Sequence, residues 1–391
     1  MKKRLMGFVL AAVVAMAALC GCNAQSGSEE KTEAETTAAD TTAAEKEAEQ
    51  KSVSDIVVAE LHYSVVEDGG WAQAMHEGLL KACKDLGMDP AKQVITMEDI
   101  AEEDTALIET TVESCVEKGA KIIFGCSAGY VTVFHELADK YPDVIFVQQG
   151  SDVYDNIVEM QIRGYEGEFL AGYLCGLMNE GNNDFGFCAS MTGDASVRTA
   201  VNAYTLGARY ANPNATVKVI EANSWYDLDI EASNAEALIN MGIKYMGMEA
   251  SSPAIPEKCQ EKGAFCIGYN IDMEANAPEA ILTSFCWNWA PIYKDIIEKT
   301  VAGTIKKSDN YYTGGEASTI APMNAKLVPQ DVQDKVNELK DKMEKGEFDV
   351  YAGPLKDNQG NELVKDGEKM ADDAILAQEF YVEGVDGLEW K

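Results

Sequence analysis

The chain has 391 residues, too many for one ordinary hydrophobic core and enough for two lobes once non-globular ends are set aside. Hydrophobic residues make up 46%, a normal globular level, while 66 acidic against 32 basic residues give a formal net charge of -34. A surface this acidic repels phosphate backbones and argues against nucleic acid as a partner; most of the charge reads as a solvated, soluble face.

In chain order, Met1-Lys2-Lys3-Arg4 is a basic start, and residues 5–19 form an apolar run too short for a typical spanning helix. Leu19-Cys20-Gly21-Cys22 follows. It resembles the lipobox of bacterial lipoproteins, in which a signal peptidase cuts before the lipid-bearing cysteine. The expectation is a signal peptide over residues 1–21 and lipidation (palmitate) at Cys22. The mature protein would then be tethered to the extracytoplasmic face of the cell membrane. An ordinary signal peptide with free release is the alternative. Residues 23–52 carry Ser, Thr, Ala, Glu and Gln without aromatic, Ile, Leu or Val side chains. Such a stretch buries too little apolar surface to offset chain entropy, so residues 22–53 read as a disordered stalk.

From residue 54 strands and helices alternate. Short β-branched runs predict strands at 55–62, 93–97, 121–126, 144–148 and 157–162, with helical patterns at 71–87, 104–118 and 128–140. A helix over residues 163–179 and a turn at Gly181-Asn182-Asn183-Asp184 come next. The alternation then restarts, with strands at 185–189, 216–221, 244–248, 264–268 and 281–286. Helices are predicted near 195–210, 228–241, 254–262 and 289–303. Residues 310–322 read as extended and glycine-rich, 329–345 as an amphipathic helix, and 357–360 as a polar hairpin turn. The pattern is that of an α/β protein with two doubly wound parallel-sheet lobes, and a ligand in the cleft between them.

Eight cysteines follow Cys22, mostly inside apolar runs such as Ile122-Ile123-Phe124-Gly125-Cys126, where Cys behaves as a small hydrophobe. Free thiols are the favoured reading, with a Cys259–Cys266 pair the alternative. Gly125-Cys126-Ser127-Ala128-Gly129 matches the G-x-S-x-G of a nucleophile elbow between strand and helix. The base is missing, however. His62 and His76 precede Ser127, and His135 lies eight residues on, within the next helix. The glycines and the Ser127 hydroxyl are therefore read as ligand-binding groups at a strand end, or as a plain tight turn. The three histidines show no metal-ligand spacing, and no phosphate-binding glycine loop is present. No catalytic residue, metal or cofactor is expected.

The aromatics carry more information. Trp71, Tyr130, Trp225, Tyr226, Tyr269, Trp287 and Trp289 all fall at or just past predicted strand ends. Flat rings there suit a planar ligand, and Asp68, Ser127, Asp227, Asn270 and Asp272 beside them can take its polar edge. Each ring taken singly is as readily a core residue.

Several runs, in order, resemble the basic membrane protein (BMP) family. They are Glu67-Asp68-Gly69-Gly70-Trp71, Tyr141-Pro142-Asp143-Val144, Ser224-Trp225-Tyr226-Asp227, Gly268-Tyr269-Asn270-Ile271-Asp272, Thr283-Ser284-Phe285-Cys286-Trp287-Asn288-Trp289, and Phe348-Asp349-Val350-Tyr351-Ala352-Gly353-Pro354. The likeness spans about residues 54–387. It implies a type I periplasmic-binding-protein-like clamshell. The implied function is that of a lipid-anchored, extracytoplasmic substrate-binding protein, which captures a purine base or nucleoside and delivers it to an ABC permease by hinge closure. No reaction is implied. A ligand-sensing receptor of the same fold is the alternative. By the resemblance, Trp71 and Trp225 stack on the ring from opposite lobes, Asp272 bonds to it, and Ser127 lines the cleft with Asp68, Gly70, Tyr130 and Asn270. The position of Trp287 tends to carry a ribose-holding Lys in nucleoside binders, so an aromatic there favours a free, adenine-like base. The resemblance further implies an N-terminal lobe of 54–163 plus 286–312 and a C-terminal lobe of 164–285 plus 313–391.

Overall fold

The computed structural model describes residues 52–150, 156–179, 181–306 and 309–388. Cys22, the signal sequence and all but the last residues of the predicted stalk lie outside them.

The first run of β-branched residues forms five parallel strands, β1 (Val57–Leu61), β2 (Val94–Met97), β3 (Ala120–Gly125), β4 (Ile145–Gln148) and β5 (Ile157–Ile162). Between them lie α1 (Trp71–Asp85), the short α2 (Pro90–Gln93), α3 (Thr105–Glu117) and α4 (Val131–Ala138). The chain then enters α5 (Tyr165–Met178) and repeats the design. It runs through β6 (Asp184–Ala189), α6 (Ala195–Ala211), β7 (Thr216–Glu221), α7 (Leu228–Asn240), β8 (Tyr245–Glu249), α8 (Ala254–Lys262), β9 (Phe265–Gly268) and β10 (Ile281–Trp287). It returns to the first lobe as α9 (Ala290–Ala302), which packs on α1, and as β11 (Tyr311–Thr313), which pairs parallel to β5. Last come β12 (Ser318–Ile320), antiparallel to β10, then α10 (Gln330–Glu344), a hairpin of β13 (Leu355–Lys356) and β14 (Glu362–Val364), α11 (Asp372–Leu376), and β15 (Val385–Asp386), parallel to β7.

The sheets run β11-β5-β4-β3-β1-β2 and β12-β10-β9-β8-β6-β7-β15. Stripped of the late edge strands, both have the same doubly wound order, with the second strand outside the first and the third on its other side. Each sheet is covered on both faces. Val58, Ile122, Met75 and Ile296 pack in one first-lobe core, and Leu61, Ile123, Val112 and Phe134 in the other. The second lobe repeats this with Phe187, Leu174 and Tyr204 on one side and Met246, Leu238 and Ile255 on the other. This double coverage explains why the strands read as nearly continuous apolar runs.

Three segments connect the lobes side by side, β5 to α5, β10 to α9 and β11 to β12. Arg163 N–H donates to Thr313 O (2.6 Å), Asn288 N–H to Ala317 O (2.9 Å), and Gly167 N–H to the Ser318 hydroxyl (2.9 Å). The two short strands β11 and β12 were not separable in the extended 310–322 run, because three residues each leave no periodicity to read. Among the described residues no helix is long and apolar enough to cross a membrane. The eight described cysteines are free, seven of them buried.

Candidate functional site: an indole-walled cleft

Each sheet has one place where the strand order reverses, between β1 and β3 in the first lobe and between β6 and β8 in the second. Loops leaving neighbouring strands diverge there and open a crevice at the carboxyl ends. The loops after these strands supply Tyr63, Ser127, Asp194 and Ser251 to a single cavity of about 640 Å³. That volume is within the range of small-molecule sites.

The first-lobe wall is built on a cap. The Asp68 carboxylate accepts N–H bonds from Gly70 (2.8 Å), Ala72 (3.1 Å) and Gln73 (3.1 Å), satisfying the free donors at the start of α1. This sets Trp71 as the first helical residue, on the cavity. Its Nε1–H donates to the Cys126 carbonyl (2.9 Å) just past β3, which fixes the ring. The Trp71 ring meets Trp287 and Trp289 edge-on, each at 5.5 Å between centroids, while Trp287 and Trp289 stack at 5.8 Å. Trp287 closes β10 at the hinge, and a Cβ on Gly164 would come within 2.5 Å of it, so only glycine lets the indole lie over that crossing. The Trp287 Nε1–H donates to Asn270 Oδ1 (2.8 Å), and Asn270 Nδ2 donates to the Ser251 hydroxyl (3.1 Å). Asn270 sits in the left-handed region, at φ 72°, a strained position held by these bonds. Trp225, after β7, stands 50% exposed on the lip of the cavity.

The polar lining is acidic. Glu102 accepts the Ser127 hydroxyl and the Gly129 N–H (3.3 Å). Asp194 caps α6 through the Ser196 N–H (2.8 Å). Glu249, at the end of β8, accepts the hydroxyls of Ser190 and Tyr269 (3.2 Å), yet burial outweighs these bonds and pushes its carboxyl up to about 8. Glu168, inside α5, is wholly buried and its Oε1 has no hydrogen-bond partner among the described residues. Burial, and then the neighbouring Glu249, raise it well above the ordinary range. No Lys, Arg or His is among the described residues that line the cavity.

Of the residues expected to touch a ligand, Trp71, Ser127, Trp225, Asn270 and Trp287 lie on this one cavity. The others lie elsewhere. Tyr130 is fully buried in the first-lobe core, with its hydroxyl on the Ile100 carbonyl (2.8 Å). Asp68 is consumed by the helix cap. Gly70 is a buried lip residue, where a Cβ would stand 3.0 Å from Ser251 of the other lobe. Asp272 faces a separate recess with Glu77, Lys81 and Cys286, on the far side of Trp287, and caps its own turn through the Glu274 N–H (3.0 Å). Ser127 bonds a carboxylate rather than an imidazole, so the elbow-like motif lacks its base in space as well as in order. Sequence reasoning missed Glu168 and Glu249, although an acid within the apolar runs of α5 and β8 was a visible signal. It also missed Ile375 and Leu376 of α11, which reach the cavity from near the C-terminus without any pattern to announce them.

Known proteins agree with this architecture. A purine-binding protein of Brucella abortus is 31% identical over 82% of this chain and 89% of its own length. A putative ABC transporter glucose-binding protein of Haloferax volcanii is 30% identical, covering 84% and 80%. A solute-binding protein of an ABC transporter system from Conexibacter woesei superposes with a TM-score of 0.64 at 19% identity, over 75% of this chain and 98% of that one, a likeness of fold. The family model described as ABC transporter substrate-binding protein, PnrA-like, matches residues 56–352. The chain therefore belongs to the Bmp family of extracytoplasmic ABC substrate-binding proteins, which bind a small molecule for a transporter partner and are not enzymes.

Proposed function

We propose that the cleft captures a purine, with a free adenine-like base favoured over a nucleoside, and presents it to an ABC permease when the lobes close on it. One observation carries the reading: a cavity walled by Trp71, Trp225, Trp287 and Trp289, with four carboxyl groups and no cationic side chain among the described residues that line it. Indole walls favour a flat ring through contact area and stacking. Carboxyl groups favour ring N–H and amine donors and disfavour anions, so phosphorylated forms are rejected. Glu168 and Glu249 suit the polar edge of a base, because a buried carboxyl that holds its proton both donates and accepts. Trp287, fixed by Asn270, stands at the position where, by the family resemblance, nucleoside binders tend to carry a ribose-holding Lys. The purine-binding relative in Brucella abortus supports the same class. Contacts made from both lobes stabilise the closed state, which is the state a permease reads.

The lipid anchor belongs to the same proposal. Lipidation at Cys22 would hold the protein at the membrane where its permease sits; Cys22→Ala should release it into the soluble fraction.

Calorimetry tests the ligand. Adenine should bind, adenosine more weakly and AMP not at all. Binding of D-glucose with silence toward every purine would overturn the reading.

A further inference from the structure

Beneath the first-lobe wall, outside the cavity, lies a second constellation. Glu60 and His62 are two residues apart at the end of β1 and so share a face of the sheet. His76, on α1, comes down onto that face. His76 Nδ1 is 2.6 Å from one Glu60 oxygen and His62 Nε2 is 3.0 Å from the other. One donor atom from each of the three residues lies within 4.8 Å of the others.

We propose that Glu60, His62 and His76 bind a divalent transition-metal ion of the zinc class. Two imidazoles and a carboxylate are a donor set that suits zinc rather than magnesium or calcium, and three protein ligands leave a coordination position open. The orientation of the groups favours an ion over a simple ion pair. Glu60 and His62 are both fully buried, yet among the described residues neither Glu60 Oε2 nor either ring nitrogen of His62 has an aligned hydrogen bond, despite the 3.0 Å approach. His76 is hydrogen-bonded to Glu60 Oε1, but the polar atoms left unused on the His62 side are available to a third atom. Support groups surround them. The Thr96 hydroxyl donates to Glu60 Oε1 (2.8 Å), the kind of outer contact that orients a ligating carboxylate, and the Cys126 thiol borders His62. His76 is 21% exposed, which gives an ion a route in. The bound ion would tie α1 to β1 below Trp71, whose Nε1–H is held by the carbonyl of Cys126.

The test uses the untagged full chain, stripped with a chelator and titrated with Zn²⁺ by calorimetry, and with Co²⁺ by visible absorption. The expected result is one ion per chain, an intense cobalt band of low coordination number, and a higher unfolding temperature. His76→Ala, at the exposed edge, should stay folded by circular dichroism and lose affinity by about 100-fold or more, and Thr96→Ala by about 10-fold. Unchanged binding in both His76→Ala and Glu60→Gln would place the ion on surface carboxylates and overturn the proposal. So would no uptake by the wild-type chain. None of these readouts involves the cleft ligand, so the purine reading stands or falls separately.

Discussion

Glu60 and Glu249 occupy comparable places in the two lobes. Each lies at or near the carboxyl end of a strand at its sheet's switch point, and each is shut away from water. Burial alone would keep both neutral. At Glu60 burial is overcome by the close imidazoles of His62 and His76, through the hydrogen bond of His76 and the charge of both, which hold the carboxyl down at about 2. His62 in turn is disfavoured as a cation by burial but kept charged by Cys126 and Glu60. Glu249 is met by the hydroxyls of Ser190 and Tyr269 and by the Ser190 backbone, which burial outweighs, and it moves the other way, to about 8. The strand position is shared; the partner decides the charge. One lobe thus carries, beneath its wall, an ionised carboxylate between histidines whose protons a bound metal ion would have to displace, and the other a protonated carboxyl fit for the edge of a neutral ring.

The largest test of this contrast is to remove the charge that has partners. Glu60→Ala leaves His62 buried without its counter-charge and should cost about 3–5 kcal/mol in denaturant unfolding. A loss below about 1 kcal/mol would mean that the pair contributes as little as a surface bridge. The next test is pH. Between about 4.5 and about 8 the folded chain holds a proton on Glu249 that the unfolded chain releases, so its contribution to stability falls as pH rises through that window. Glu249→Gln should flatten that part of the unfolding-temperature profile. Glu60 has the opposite sign. Its contribution is complete above about 4.5 and disappears as pH falls toward 2, an acid limb that Glu249→Gln should leave intact.

Smaller effects separate the two walls. Trp71→Ala should weaken purine binding by about 1–3 kcal/mol, the worth of one stacked ring; wild-type affinity in calorimetry would remove Trp71 from the site. Asp68→Ala should lower stability by about 1 kcal/mol through the lost bonds to the Gly70, Ala72 and Gln73 N–H groups at the start of α1, with a lesser effect on affinity. Asp272→Ala should leave the dissociation constant unchanged, since that carboxylate lies behind Trp287.

Much of this was legible in the chain. Short apolar runs between helical patterns located ten strands of the two sheets to within about two residues. The turn Glu67-Asp68-Gly69-Gly70 announced where α1 begins, and the indoles at strand ends pointed to the cleft. Tyr130 looked equivalent to them but is core, because its ring follows β3 into the first turn before α4 and packs against Phe134. Asp272 looked equivalent to Asn270, two residues earlier, but the left-handed Asn270 turns the backbone and sends Asp272 to the other side of Trp287.

The sequence by itself determined the alternation of elements, and with it two doubly wound lobes, because apolar periodicity and glycine stops are local properties of a chain. Only the tertiary structure decided which acids became charged and which histidines met. His76 reaches Glu60 because α1 folds back over β1, and Glu249 stays protonated because its burial outweighs the hydroxyls that meet it. Ionisation depends on what lies within a few ångströms in space, and residue spacing along the chain does not encode that distance.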